Sequence, residues 1–286
     1  MLRSLARRPR RITTAAAATA VLAAGLIVAT TASSATAHPS SGGPKPTVVL
    51  VHGAWADSSS WDGVISRLQD DGYPVDVFPT PLRSLHTDVA YLRTYLGAIA
   101  GPIVLVGHSY GGAVVTNAAT GNANVKELVY IDAFAPGRGQ TVADLVGPGS
   151  VVANPDPTKV FALVPPTSLN PDLYVLPAVF ISSVANDIVP SRAAVLAATQ
   201  RPIAAGALTE PATTPAWKTI PSWYEVGTID KVIPPAAQLA MARAAHSHVI
   251  RVRSSHLPMV SRPGAVTQTI ERAAAATGNR RLSLFR

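Results

Sequence analysis

The 286-residue chain predicts a doubly wound α/β fold: a mostly parallel sheet of about six strands carrying a small inserted cap. Three observations predict it. Short β-branched apolar runs alternate with segments of helical periodicity, as right-handed βαβ crossovers require. The runs are nearly continuous in apolar character, as expected when helices cover both faces of a parallel sheet. A hydrophobic content of 48% with no internal repeat supplies the core of one domain and excludes a disordered or collagen-like chain.

In chain order, residues 1–37 read as a signal peptide. Arg3, Arg7, Arg8, Arg10 and Arg11 precede an apolar run from Ile12 to Ala29. Ala35-Thr36-Ala37 then offers signal peptidase its small residues, which places cleavage between Ala37 and His38 and makes the mature protein secreted. Membrane contact is expected only through this signal. Residues 38–46 form a Ser/Gly/Pro linker, and the folded domain is expected over residues 47–276.

Strands are expected at Thr47–His52, Val75–Phe78, Ile103–Gly107, Val125–Ile131, Ser222–Gly227 and His248–Val252, each a compact apolar run. Helices are expected at Trp61–Asp70, Ser84–Ile99, Tyr110–Thr120, Ala236–Ala245 and Gly264–Ala276. In the second, Val89, Leu92, Leu96 and Ile99 recur at three- and four-residue steps and define one buried stripe. From about residue 137 to residue 221 the rhythm breaks. Twelve prolines lie there from Pro148 onward, with only short helical stretches such as Ser191–Thr199. A long, apolar insertion between two strands reads as a functional cap, in which Asp187 is expected to be a surface or capping residue. Residues 277–286 read as a basic, frayed tail.

The formal charge of +8 is carried by the ends. Without residues 1–37 the balance is 19 basic against 16 acidic residues, and without Arg280, Arg281 and Arg286 the body is neutral. A phosphate-binding groove needs clustered Lys and Arg, so no nucleic-acid partner is expected. The chain has no cysteine, which excludes disulfides, thiol nucleophiles and thiolate metal sites.

The chemistry concentrates where strands end. Gly107-His108-Ser109-Tyr110-Gly111 follows a strand and opens a helix, the setting in which a G-x-S-x-G turn lifts a serine hydroxyl above the sheet edge. His52-Gly53-Ala54-Trp55 follows the first strand. Acyl transfer needs two backbone N–H groups facing the developing oxyanion, and Ala54 and Tyr110 are the candidates. His52 and His108 read as braces of these two loops. Asp230 and His256 each follow a late strand, so the chain order Ser109…Asp230…His256 fits a nucleophile, an orienting acid and a general base. Asp132, after the Val125–Ile131 strand, is the rival acid. His246-Ser247-His248 lacks further ligands nearby, and the reading needs neither metal nor cofactor. Trp55, Phe134, Trp217, Trp223, Leu257 and Met259 are candidate pocket residues, with core packing the competing role.

These motifs, with Tyr130-Ile131-Asp132-Ala133-Phe134-Ala135-Pro136, the Asp230-x-x-Ile-Pro-Pro turn and the His256…Ser261-Arg262-Pro263 ending, resemble the α/β-hydrolase superfamily. The chain is similar to bacterial esterases and the plant methylesterase/hydroxynitrile lyase group, from Pro46 to Ala276. The resemblance implies an α/β-hydrolase fold and a serine hydrolase acting on carboxylic esters, without naming the ester. Hydroxynitrile lyases carry lysine after the catalytic histidine and typically cysteine after the serine. This chain has Leu257 and Tyr110 there, which favours hydrolysis. Dehalogenases and epoxide hydrolases of this fold use an elbow aspartate, which Ser109 excludes. The expected substrate is a small, neutral, apolar ester. A lactonase, amidase or thioesterase would use the same residues. A binding protein on the same fold is the other class of reading, and it has no need to keep all three of Ser109, Asp230 and His256.

Overall fold

The computed structural model describes the backbone of residues 44–283 and the side chains of residues 44–277. The signal peptide, its cleavage position and most of the linker expected from the sequence lie outside the described residues.

The first half is a run of βα units. β1 (Thr47–Val51) is buried from Val48 to Val51, because a Val-Val-Leu-Val run needs cover on both faces. α1 (Asp62–Asp70) turns Val64 and Leu68 inward, and β2 (Val75–Phe78) follows. α2 (Leu85–Gly97) starts where the Ser84 hydroxyl accepts from the Thr87 amide, and it buries Val89, Leu92 and Leu96. β3 (Ile103–His108) is buried throughout, and α3 (Tyr110–Ala118) leaves it after the single residue Ser109. β4 (Val125–Ile131) leads into the cap.

The cap holds α4 (Val142–Leu145), β5 (Phe161–Val164), β6 (Asp172–Val175), α5 (Pro177–Val179), α6 (Pro190–Thr199) and β7 (Ile203–Ala204). β5, β6 and β7 pair antiparallel as a second, three-stranded sheet. No strand is expected there from the sequence, because segments of two to four residues between prolines show no readable period. The chain returns through β8 (Ser222–Gly227), α7 (Pro235–Ala244), β9 (His248–Val252), α8 (Pro258–Ser261) and α9 (Pro263–Ser283). α9 continues past its expected end at Ala276 into the segment expected to fray. Among the described residues, no helix is long and apolar enough to cross a membrane.

All six strands of the main sheet are parallel, in the order β2-β1-β3-β4-β8-β9. The chain steps outward from β1 to β2, then returns to β3 on the other side. That reversal opens a crevice beyond the carboxyl ends of β1 and β3. Register keeps the ends level, with Val51 opposite Gly107 and Gly227 opposite Val252. The loops after β1, β3, β4, β8 and β9 therefore meet at one edge.

Candidate active site

Ser109 sits at the tightest point of that edge. Its backbone has φ 50° and ψ −125°, a conformation that side chains rarely adopt. The turn closes only because its neighbours lack side chains. A Cβ on Gly107 would stand 2.7 Å from the Gly111 carbonyl oxygen, and one on Gly111 would stand 2.5 Å from that of Val51. This packing holds the serine above the sheet.

The structure brings Ser109, His256 and Asp230 together across 147 and 26 residues of sequence. His256 Nε2 lies 2.9 Å from Ser109 Oγ, and its Nδ1 lies 2.8 Å from Asp230 Oδ2. A carboxylate beside Nδ1 fixes the proton there, so Nε2 is the acceptor facing the hydroxyl. Asp230 is itself held firmly. Its Oδ1 accepts from the amides of Val232 (2.7 Å) and Ile233 (3.1 Å), and its Oδ2 also accepts from Gln238 Nε2 at 2.9 Å. All three side chains are buried, Ser109 being 2% exposed.

Asp132, the rival acid, lies alongside but makes no hydrogen bond to the imidazole. Its Oδ1 accepts from the Gly227 amide at 2.5 Å, and Oδ2 has no hydrogen-bond partner. Burial first, then the charges of Asp230 and Glu225, hold its carboxyl well above the usual carboxylate range. The carboxylate that meets the imidazole is that of Asp230, so the geometry favours Asp230. Asp132, Asp230 and His256 offer ligand atoms within 4.8 Å of one another, the one such trio among the described residues. The hydrogen bonds above already engage all three members, His256 and Asp230 with each other.

The two braces are histidines. His52 donates from Nδ1 to the Gly53 carbonyl at 2.9 Å and accepts the Thr80 amide on Nε2 at 3.0 Å, and burial lowers its pKa to about 4. His108 donates from Nε2 to the His256 carbonyl at 2.7 Å, and burial lowers its pKa well below the ordinary value. Both rings are neutral props. One fixes the loop after β1, and the other ties β3 to the loop bearing His256.

Tyr110 is the first residue of α3, so its amide has no acceptor within the helix. In the other loop the Trp55 amide is taken by the Arg201 carbonyl at 2.9 Å, which removes it as a donor to the cavity. Ala54, Ser109 and Tyr110 line one cavity of about 220 Å³ with Trp55, Phe134, Val142, Ala143, Val146, Val152, Ala153, Phe161, Leu208 and Val232. The Tyr110 hydroxyl points away, donating to Asp88 Oδ2 at 3.0 Å.

Four expected pocket residues lie elsewhere. Trp217 donates to the Pro136 carbonyl from the base of the cap. Trp223 projects from β8 onto the His248 ring, with centroids 4.6 Å apart. Leu257 is packed in the core, and Met259 lines a separate cleft beside α8. Asp187 is also not on the surface: its side chain is 6% exposed and accepts from the Ser255 hydroxyl. The cavity wall from the cap was missed in the sequence, because Val142, Ala143, Val146, Val152, Ala153 and Leu208 belong to no motif.

Comparison with known proteins agrees with this architecture. A model of the alpha/beta hydrolase family matches residues 48–269. The chain is 27% identical over 254 residues to the alpha/beta hydrolase nvfD of Aspergillus novofumigatus, covering 80% of this chain and 97% of that protein. It is 33% identical over 117 residues to a carbendazim hydrolyzing esterase of a Nocardioides species, covering 34% of this chain and 46% of that protein. Its fold is similar to that of an extracellular alpha/beta-hydrolase from a Paenibacillus species. There the TM-score is 0.69 at 22% identity, over 80% of this chain and 99% of that one.

Proposed function

Since the chain belongs to the alpha/beta hydrolase family, we propose that it is a secreted serine hydrolase cleaving neutral, apolar carboxylic esters through an acyl-enzyme. That it is a hydrolase of esterase type follows from the family; the nucleophile, the mechanism and the export are our reading. One observation carries it: an unbroken hydrogen-bonded line from Ser109 through His256 to Asp230, opening on an apolar cavity.

In this reading Ser109 Oγ attacks the ester carbonyl as His256 Nε2 takes its proton. The amides of Ala54 and Tyr110 hold the oxyanion. His256 then passes the proton to the departing alcohol, and water repeats the sequence on the acyl-enzyme. Asp230 keeps the ring in the right tautomer and stabilises its charged form. The cavity wall argues for the substrate class. Apart from Ser109 and Tyr110 its lining side chains are apolar or aromatic, and the Tyr110 hydroxyl is committed to Asp88. An apolar cavity of about 150 Å³ takes benzene, so 220 Å³ suits an aromatic or short aliphatic group rather than a long chain.

The test is a p-nitrophenyl ester series from acetate to palmitate on the mature protein, beside Ser109→Ala. Turnover is expected to peak at short chains, and the variant is expected to lose about 10⁴–10⁶-fold in kcat. Wild-type turnover in Ser109→Ala would overturn the mechanism. No turnover, together with no labelling of Ser109 by a fluorophosphonate, would favour a binding protein. Turnover of charged substrates alone would overturn the substrate class. For the export reading, N-terminal sequencing of protein secreted by an exporting host is expected to begin at His38.

A further inference from the structure

The loops that carry Asp230 and His256 are tied to one short stretch of the cap. Lys231 Nζ, beside Asp230, donates to the Ser182 carbonyl at 3.0 Å. Asn186 Nδ2 reaches the Ile229 carbonyl, also beside Asp230, at 3.5 Å. The Ser255 hydroxyl, beside His256, donates to Asp187 Oδ1. Arg262, beyond α8, brings Nη2 to 3.9 Å from Asp187 Oδ2. The stretch begins within a π-helical turn at Phe180–Val184, an irregularity frequent at functional sites.

Asp187 is the member hardest to explain as packing alone. A carboxylate 6% exposed loses much of its hydration, and removing a solvent-facing charge would ordinarily be cheaper than burying one. Its partner here is the residue immediately before His256. On the other side, His108 donates to the His256 carbonyl. The backbone bearing His256 is thus gripped from the nucleophile strand on one flank and from the cap on the other. We infer that Asp187 is a positioning residue for His256, acting through Ser255 to hold the imidazole in line with Ser109. This assignment rests on the serine-hydrolase reading above.

The test compares Asp187→Ala, Asp187→Asn, Ser255→Ala and the Asp187→Ala/Ser255→Ala double variant, by ester turnover and by the rate of fluorophosphonate labelling of Ser109. Small misplacement of a catalytic group lowers rates by up to roughly 10²-fold. The expected result is therefore a fall in kcat and in labelling rate of about 10–100-fold for Asp187→Ala and Ser255→Ala, with KM changed less than about threefold. Asparagine keeps an acceptor oxygen for the Ser255 hydroxyl, so Asp187→Asn is expected within about threefold of wild type. The double variant is expected to match either single one, because both remove the same bond.

A cap held in place only for packing would behave otherwise: KM would rise, thermal stability would fall, and asparagine would not rescue. That pattern, additive effects in the double variant, or a Ser255→Ala protein at wild-type kcat would overturn the assignment. If Asp187→Ala does not fold, Ser255→Ala and Asp187→Asn decide the matter by the same criteria. Failure of wild type to label or turn over would overturn the hydrolase reading and this one with it. Equal labelling of wild type and variants would overturn this one alone.

Discussion

Asp230 receives four hydrogen bonds, from the Val232 and Ile233 amides, Gln238 and His256, so both oxygens of a buried carboxylate are satisfied. Such an acid is fixed in place, and its replacement should be felt through the tautomer of its partner. Asp230→Asn is expected to lower kcat by about 10⁴-fold, as in other triads where the wrong nitrogen becomes protonated. Asp132 is not expected to substitute, because its Oδ1 is committed to the Gly227 amide and burial, with the neighbouring carboxylates, raises its pKa. Activity in Asp230→Asn within tenfold of wild type, lost on adding Asp132→Asn, would show the opposite. Tyr110 makes a contrasting case, since its amide and its side chain serve different ends. Its hydroxyl meets Asp88, whose own pKa burial has raised. Tyr110→Phe leaves the amide in place but removes the carboxyl's hydroxyl partner. It is expected to lower stability by about 1–3 kcal/mol while kcat/KM stays within about threefold, as thermal unfolding and the ester assay would show.

At the level of elements, the elbow between β3 and α3 concentrates strain in one residue. A non-glycine residue at φ 50° and ψ −125° is destabilised by roughly 1–3 kcal/mol. Glycine would relieve that, at an entropic cost of about 0.5–1 kcal/mol in the unfolded chain. Ser109→Gly is therefore expected to be more stable than Ser109→Ala by about 1 kcal/mol, both being inactive. Equal midpoints in urea would mean that the turn is unstrained. This elbow was legible in the sequence, as were the six main strands, because a continuous apolar run and a glycine-flanked serine each have one physical reading. The loops bearing Asp230 and His256 were legible for a related reason: both follow strands, and strand ends in a parallel sheet share an edge. The cap was not. β5, β6 and β7 are too short to show a period, and an apolar cap residue looks the same whether it faces the cavity or the core. Trp223 shows the same limit. Its aromatic ring made it a pocket candidate, yet strand alternation on β8 sets it opposite Tyr224 and against His248.

For the molecule as a whole, buried ionisable groups of opposite kinds set how stability varies with pH. Burial pushes the Glu225 carboxyl up to about 7, with the Thr269 hydroxyl pulling the other way, whereas an unfolded glutamate titrates near 4.5. Between these values the native state keeps a proton that the unfolded chain has released. The Glu225 contribution is therefore full below about pH 4.5 and is lost as pH rises to about 7. His52 runs in the other direction. Burial lowers it to about 4 against 6.5 unfolded, so its contribution is present above about pH 6.5 and is lost as pH falls towards 4. Each shift is worth about 3 kcal/mol. Over the shared window, from about pH 4.5 to 6.5, the two slopes are equal and opposite. Asp132, raised like Glu225, and His108, lowered like His52, oppose each other in the same sense. The wild type is accordingly expected to show a nearly flat unfolding free energy across that window. Glu225→Gln keeps an acceptor for Thr269 but removes the falling slope, so its stability is expected to climb by about 3 kcal/mol between pH 4.5 and 6.5. Urea titrations of the two proteins at half-unit pH steps would measure this. A variant as flat as wild type would mean that Glu225 is ionised in the native state, and that its burial is compensated by a partner other than Thr269.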